Sequence, residues 1–325
     1  MLHRTFYLKT TRRPDISPTT VNPKEPNEIR VRRTCYTAIM SETLTFAAQL
    51  ACEAGKMLRE IFSLSGTKAN LKEDRTVVTE ADLAVDRLIG EAILERFPED
   101  ELISEELQPG YSAAADYSGK ELRPKSLKGK AVWVIDPLDG TTNFSLGLHY
   151  WGVSVARLVD GWPETAAAYF PALDELYSAQ RGKGATLNGE RIHSRPPDKE
   201  HPTAFFSCCS RTHRRYDVKV RYKTRILGSA VYDLCSVARG TAVLGFEATP
   251  KIWDIAGSWL IVEEAGGVVE THDGSKPFPL EVLRDYNQQI YPTIAAANYE
   301  LLAKAREWIR ARQGKGGLDG ISTSR

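Results

Sequence analysis

Cysteine is scarce in this 325-residue chain: Cys35, Cys52, Cys208, Cys209 and Cys235 are odd in number and form no CxxC pair. That usage favours a reducing compartment. Cys208 and Cys209 follow Phe205 and Phe206 on an apolar stretch, and read as small buried hydrophobes rather than redox or zinc groups. No apolar run approaches the roughly 20 residues that a membrane span needs, so no membrane partner is expected. An excess of one charge sign is also missing, with 43 Lys or Arg against 42 Asp or Glu. A net charge of +1 supplies no general electrostatic reason to bind nucleic acid, and none is expected as a partner. Internal repeats are absent as well. What is present, 42% hydrophobic and 26% charged residues, suits a soluble enzyme with a sizeable core, as one large domain or two tightly packed layers.

The ends differ from the middle. Residues 1–39 carry scattered proline and eight Lys or Arg against three acids, without periodicity, so residues 1–40 are expected to be a disordered extension. An organelle transit peptide is one reading of a basic, Thr-rich segment, but no convincing amphipathic helix supports it. A translation start at Met40 is favoured, with a cytoplasmic location. Residues 313–325 are rich in Gly and Ser and read as a flexible tail.

Residues 41–312 between them show an α+β pattern. Leu44, Ala47, Leu50, Ala51, Ala54, Met57, Leu58 and Ile61 mark an amphipathic helix capped by Ser41 or Thr43. A second helix spans residues 82–97, with Val85, Ile89, Ala92 and Ile93 inward. Strands are expected over 131–135, 150–159, 165–170, 175–180, 204–208, 242–247, 268–270 and 290–296, with a helix over 230–239. Asp160-Gly161 and Asn188-Gly189 mark tight turns.

Two segments carry the chemistry. Residues 133–144 read WVIDPLDGTTNF, in which an apolar strand ends in Asp136 and Asp139, two carboxylates able to converge on hard cations. Gly140 lets the backbone approach an anion, and Thr141 offers a hydroxyl and an amide. The plain alternative is that Asp-Gly is only turn chemistry. Residues 253–267 read WDIAGSWLIVEEAGG, a helix with Asp254 at its start, Ala256, Trp259, Leu260 and Glu263 at helical spacing, and Gly266-Gly267 as its stop. An ordinary N-cap would explain Asp254 by itself, but not its partner segment upstream. Thr79-Glu80-Ala81-Asp82 opens another helix, and Ile103-Ser104-Glu105-Glu106 follows it with paired acids.

Together, from about Leu44 to about Trp308, these segments resemble the inositol monophosphatase family within the lithium-sensitive, magnesium-dependent phosphatases. One departure is Phe144-Ser145-Leu146-Gly147, which stands where many members carry a histidine before that glycine. The resemblance implies a layered αβαβα sandwich of the inositol monophosphatase and fructose-1,6-bisphosphatase type, a homodimer, and inhibition by lithium. It also implies a Mg²⁺ site held by Glu105, Asp136 and the carbonyl of Leu138. A second would be held by Asp136, Asp139 and Asp254. Such all-oxygen sets suit Mg²⁺ and disfavour zinc.

By the same resemblance, Glu105 and Thr141 orient the attacking water and Asp82 holds the threonine hydroxyl, although Thr79-x-x-Asp82 is also a capping box. The amides of Gly140 and Thr141 cradle the phosphate. Gly228, Ser229 and Ala230 would contact the alcohol part of the substrate, Glu247 would accept from inositol hydroxyls, and Asp254 would lie beside the substrate. Lys68, Lys72, Glu73 and Asp74 are expected in a loop over the site. The implied activity is hydrolysis of a small polyol phosphate, inositol-1-phosphate foremost. Alternatives are histidinol phosphate, fructose-1,6-bisphosphate, 3′-phosphoadenosine 5′-phosphate, or a regulator binding a protein or RNA.

Overall fold

Alternation of side chains explains the first half of the molecule. The structure is a computed structural model that describes residues 41–71, 77–106, 127–198, 203–281 and 285–312. The expectations for the extension, the tail, Lys72, Glu73 and Asp74 fall outside those residues. In chain order the elements are α1 (Glu42–Ile61), β1 (Asn70–Leu71), β2 (Val77–Val78), α2 (Glu80–Arg96), β3 (Glu101–Ser104), β4 (Ala131–Asp139), α3 (Thr141–Ser145), β5 (Gly152–Val159), β6 (Trp162–Phe170), β7 (Glu175–Gln180), β8 (Gly184–Leu187) and β9 (Glu190–Arg191). There follow β10 (Phe205–Cys208), α4 (Thr212–Arg215), β11 (Tyr216–Val218), β12 (Lys223–Arg225), α5 (Ala230–Ala238), β13 (Ala242–Glu247), α6 (Ile252–Glu264), β14 (Val268–Thr271), a 3₁₀ turn, β15 (Thr293–Ala296), α7 (Tyr299–Trp308) and β16 (Ile309–Ala311).

Strands β3 to β9 form a seven-stranded sheet in sequence order, parallel only where β3 meets β4. On β4, Trp133 and Ile135 face one side and pack with Leu50, Ala54, Leu58, Val85 and Ile89 of α1 and α2. Val132 and Val134 face the other side and pack with Val231, Leu234, Ile255 and Leu260 of α5 and α6. Period-two geometry therefore buries both faces. Beyond α5 and α6 lies a second sheet, in the order β12-β10-β13-β15-β14. Its outer side, through Phe206, Leu244, Phe246 and Ile294, is covered by Leu301, Leu302 and Ala305 of α7. The succession is α, β, α, β, α, the layered sandwich that the resemblance implies.

Local expectations fare according to how locally they are determined. Ser41 caps α1 by accepting from the Leu44 amide at 3.2 Å. Asp160-Gly161 and Asn188-Gly189 both adopt positive φ, as two-residue hairpin turns require. Several expected strand starts shift by a few residues, that at 165 to Trp162 and that at 290 to Thr293. Strand β5 begins at Gly152, not residue 150, because the Tyr150 carbonyl is taken by the Asn143 amide at 2.6 Å. Helix α6 has no single inward stripe: Trp259 is partly exposed and Glu263 exposed, while Ile252, Ile255, Ala256, Gly257, Ser258, Leu260, Ile261 and Val262 are all buried. A helix sandwiched between two sheets buries most of its circumference.

Candidate active site

Asp136 and Asp139 are three residues apart, which on a regular strand would send them to opposite faces. A bulge corrects this. Asp136 pairs with Ser154 and Asp139 with Gly152, so β4 carries one residue more than β5 across that interval. Pro137 sits in the bulge, where its missing N–H is not needed. The third carboxylate comes from α6, where Asp254 accepts from the Lys251 amide at 2.7 Å in the helix's first turn. Gly257, one turn on, lets α6 approach β5: a Cβ there would lie 2.8 Å from Ser154 Oγ. As a result, one oxygen each from Asp136, Asp139 and Asp254 lies within 4.8 Å of the others.

Such a cluster is electrostatically costly. Burial, reinforced by Glu105, Asp139, Asp254 and Asp82, pushes the Asp136 carboxyl well above its ordinary range. Burial raises Asp139 to about 7 against the stabilising hydroxyl of Ser229. Burial likewise raises Asp254 to about 6, opposed by the Lys251 amide and by hydrogen-bond contact with Asp136. Asp139 is also held from the far side: Ser229 Oγ donates to it, as do the amides of Ala230 at 2.9 Å and Val231 at 3.2 Å. The Gly228-Ser229-Ala230 stretch thus secures a ligand candidate at the start of α5, a role the sequence reading did not assign.

Asp82 does both things expected of it. Its Oδ2 accepts from the Thr79 amide at 2.8 Å, closing the capping box of α2, while Oδ1 accepts from Thr141 Oγ1 at 3.1 Å. The same hydroxyl lies 2.9 Å from the Leu138 carbonyl. Glu105 follows β3, its amide bonded to the Ile135 carbonyl at 3.3 Å, and stands within electrostatic reach of Asp136; Glu106 beside it is buried. Gly140 has φ +83°, and a Cβ would meet the Tyr150 carbonyl at 2.6 Å. Lys68 is exposed.

The chain matches the inositol monophosphatase family over residues 39–311. It belongs to that family. An inositol monophosphatase of Mesembryanthemum crystallinum is 32% identical over 260 residues, covering 75% of this chain and 90% of the relative. The Nus factor SuhB of Escherichia coli K12 is 31% identical over 252 residues, 74% of this chain and 89% of the relative. Among solved structures, an IMPase of Thermotoga maritima superposes with a TM-score of 0.64 at 25% identity, covering 82% and 97% of the two chains.

As a member of the inositol monophosphatase family the protein is a phosphoric monoester hydrolase, and the family is metal-dependent. The acids fit that dependence: three converging carboxylates, of which Asp136 and Asp139 are raised by burial and by the acids beside them, are what a bound cation relieves. Glu247, at the end of β13, is 3% exposed, in hydrogen-bond contact with Asp233 of α5, and burial drives its carboxyl well above the usual range. Asp233, also raised by burial, to about 7, accepts from Ser207. One oxygen of each acid has no hydrogen-bond donor. A proton shared between them satisfies both. Asp233 and Ser207 had no part in the sequence reading, since their pairing with Glu247 joins β10, α5 and β13.

Proposed function

We propose that the protein hydrolyses the phosphate monoester of a small polyol, inositol-1-phosphate foremost, with Mg²⁺ as its cation. The observation that carries this is the convergence of Asp136, Asp139 and Asp254 beside the Asp82–Thr141 hydrogen bond. Glu105, Asp136 and the Leu138 carbonyl would hold one ion, and Asp136, Asp139 and Asp254 another. When bound, Mg²⁺ supplies positive charge against the phosphate and leaving oxygens and makes water a better nucleophile.

The chain's own groups do the positioning. Asp82 accepts from Thr141, fixing the threonine oxygen so that its lone pairs, with the carboxylate of Glu105, orient a water toward phosphorus. The Gly140 and Thr141 amides take phosphate oxygens without adding a charge. The water oxygen bonds to phosphorus as the bond to the polyol oxygen breaks; one proton of that water ends on the departing oxygen, giving the free hydroxyl, and the other stays with the inorganic phosphate. Glu247 is assigned to the substrate's hydroxyls, which suits a polyol better than an aryl or alkyl ester.

A phosphate-release screen tests the reading, with inositol-1-phosphate, histidinol phosphate, fructose-1,6-bisphosphate and 3′-phosphoadenosine 5′-phosphate, each in Mg²⁺ or EDTA. Mg²⁺-dependent release, fastest from inositol-1-phosphate and cut about a thousandfold or more by Asp136→Asn in a folded protein, is expected, a loss of roughly 4 kcal/mol of barrier lowering. Preference for another ester would replace the substrate. No release from any would sink the catalytic reading.

A further inference from the structure

Four cysteines fall among the described residues, and three of them are poor nucleophiles. Burial raises the thiol of Cys52 to about 11, that of Cys208 to about 12 and that of Cys235 well above the ordinary range, which withholds the thiolate that reacts. Cys209 differs from the small buried hydrophobe expected for it. It follows β10 directly and is half-buried. Strands β10 and β13 run parallel with Cys208 beside Phe246, so the next residues, Cys209 and Glu247, are neighbours at the same end of the sheet. Polar partners place the sulfur: the Ala248 amide donates to Sγ at 3.3 Å, and the Thr212 hydroxyl lies 3.3 Å from it. Apart from burial, Cys209 is the group that acts most strongly on the Glu247 carboxyl. Two residues on, Arg211 bonds to Thr249 at 3.0 Å and acts on Asp254. Residues 209–211 therefore run along the rim from Glu247 toward Asp254.

The buried acid beside Cys209 points to a ligand on this rim. Glu247 is 3% exposed and shares one proton with Asp233, so the pair retains one negative charge. Cys209, Asp233 and Cys208 all raise the Glu247 carboxyl, no cation among the described residues pairs with it, and one of its oxygens lacks a donor from the chain. A buried charge in that position calls for hydrogen-bond donors from outside the chain, and the hydroxyls of a polyol supply them. Anything that enlarges the Cys209 side chain stands where those hydroxyls would approach.

We propose that Cys209 is a thiol-modification site, and that its mixed disulfide with a small thiol closes the alcohol side of the site; this rests on the substrate reading above. The Cys209 sulfur attacks one sulfur of a small disulfide, the new S–S bond forms as the old one breaks, and the proton of the Cys209 thiol ends on the departing thiol. No other oxidant is required. The added group excludes the substrate's hydroxyls from Glu247, while Asp136, Asp139 and Asp254 keep their places, and a dithiol reverses the exchange. The test treats the full chain with hydroxyethyl disulfide, maps the modified cysteines by peptide mass and follows phosphate release in Mg²⁺. Cys209 should be modified ahead of Cys52, Cys208 and Cys235. The melting temperature should hold while kcat/KM for inositol-1-phosphate falls about tenfold or more, the scale of one lost hydrogen bond to a charged group, and dithiothreitol should restore it. Saturating inositol-1-phosphate should slow the modification of Cys209 severalfold, and inorganic phosphate much less. Cys209→Ser, or Cys209→Ala should that variant not fold, should turn over at a rate that the disulfide leaves unchanged, whatever its level. Protection is read by mass, so it decides the proposal with whichever ester the phosphate-release screen selects, and also if none is turned over. Modification of Cys209 that leaves turnover intact, a loss of turnover that survives its replacement, modification that no ester slows, or a Cys209 left untouched while Cys52 reacts overturns the proposal.

Discussion

Asp136 and Glu247 are both buried acids, yet their surroundings ask different things of them. Asp136 faces four other carboxylates, and only an external positive charge removes the repulsion. Glu247 faces one, Asp233, with which a single proton suffices, leaving the pair one charged acceptor to offer. Glu247→Gln keeps the volume but can neither carry the pair's charge nor share its proton. Binding of inositol-1-phosphate should then weaken by roughly 1–3 kcal/mol, since hydrogen bonds to a charged group are among the stronger ones. Hydrolysis of an aryl phosphate, which has no hydroxyls to present, should change little. Steady-state kinetics on both substrates decide it: equal losses would assign Glu247 to the fold or the acid cluster instead. Asp82 illustrates a residue whose two oxygens serve two masters, a helix cap and the Thr141 hydroxyl, so neither role could be inferred by dismissing the other.

At the scale of elements, the β4 bulge and the turn after it do the decisive work. The bulge brings Asp136 and Asp139 to one side, and Gly140 then reverses the chain into α3 at φ +83°. A side chain at Gly140 is excluded twice, by conformation and by the Tyr150 carbonyl 2.6 Å from where its Cβ would be. Gly140→Ala should therefore cost more than the roughly 1 kcal/mol scale of a tolerated glycine replacement, and should displace Thr141 from Asp82. Thermal unfolding together with kcat measures both; an unchanged midpoint with unchanged kcat would show that this turn is not constrained as described. Helix α7 apart, the elements not legible in the sequence were short or had their cause elsewhere. Helix α7, with Asn298 as its cap and Leu301, Leu302 and Ala305 inward, carried a readable signal that went unused. By contrast β11, β12 and β16 are three residues each, too short for a period to register.

For the whole molecule, the acids gathered between the two sheets tie stability to pH. Asp139 and Asp254 ionise near their ordinary value of 3.8 when unfolded but only at about 7 and about 6 when folded. Between those limits the folded state binds more protons than the unfolded state, so without metal its stability is full below about pH 4 and declines as pH rises toward 7. A bound cation reverses the sign, because it requires the carboxylates deprotonated. In EDTA the melting temperature should fall by roughly 5 °C or more from pH 5 to pH 8, and millimolar Mg²⁺ should restore it mainly at the upper end. A midpoint that climbs with pH in EDTA would contradict the raised carboxyls.

By itself the sequence determined what depends on neighbours along the chain: the start of α1 to within Ser41 or Thr43, the capping box at Thr79, the hairpin turns at Asp160 and Asn188, and the buried run into Asp136. Its paired motifs also sufficed for the family, because two such segments in order are a pattern that backbone chemistry alone does not produce. Only the tertiary structure decided how acids 118 residues apart, Asp136 and Asp254, come within hydrogen-bond contact, why α6 is buried nearly all round, and that Asp233 and Ser207 attend Glu247. The physical reason is the same in each case. Local periodicity sets the direction of a side chain relative to its own element, whereas burial, and with it every raised pKa, is set by which layer packs on that element from another part of the chain.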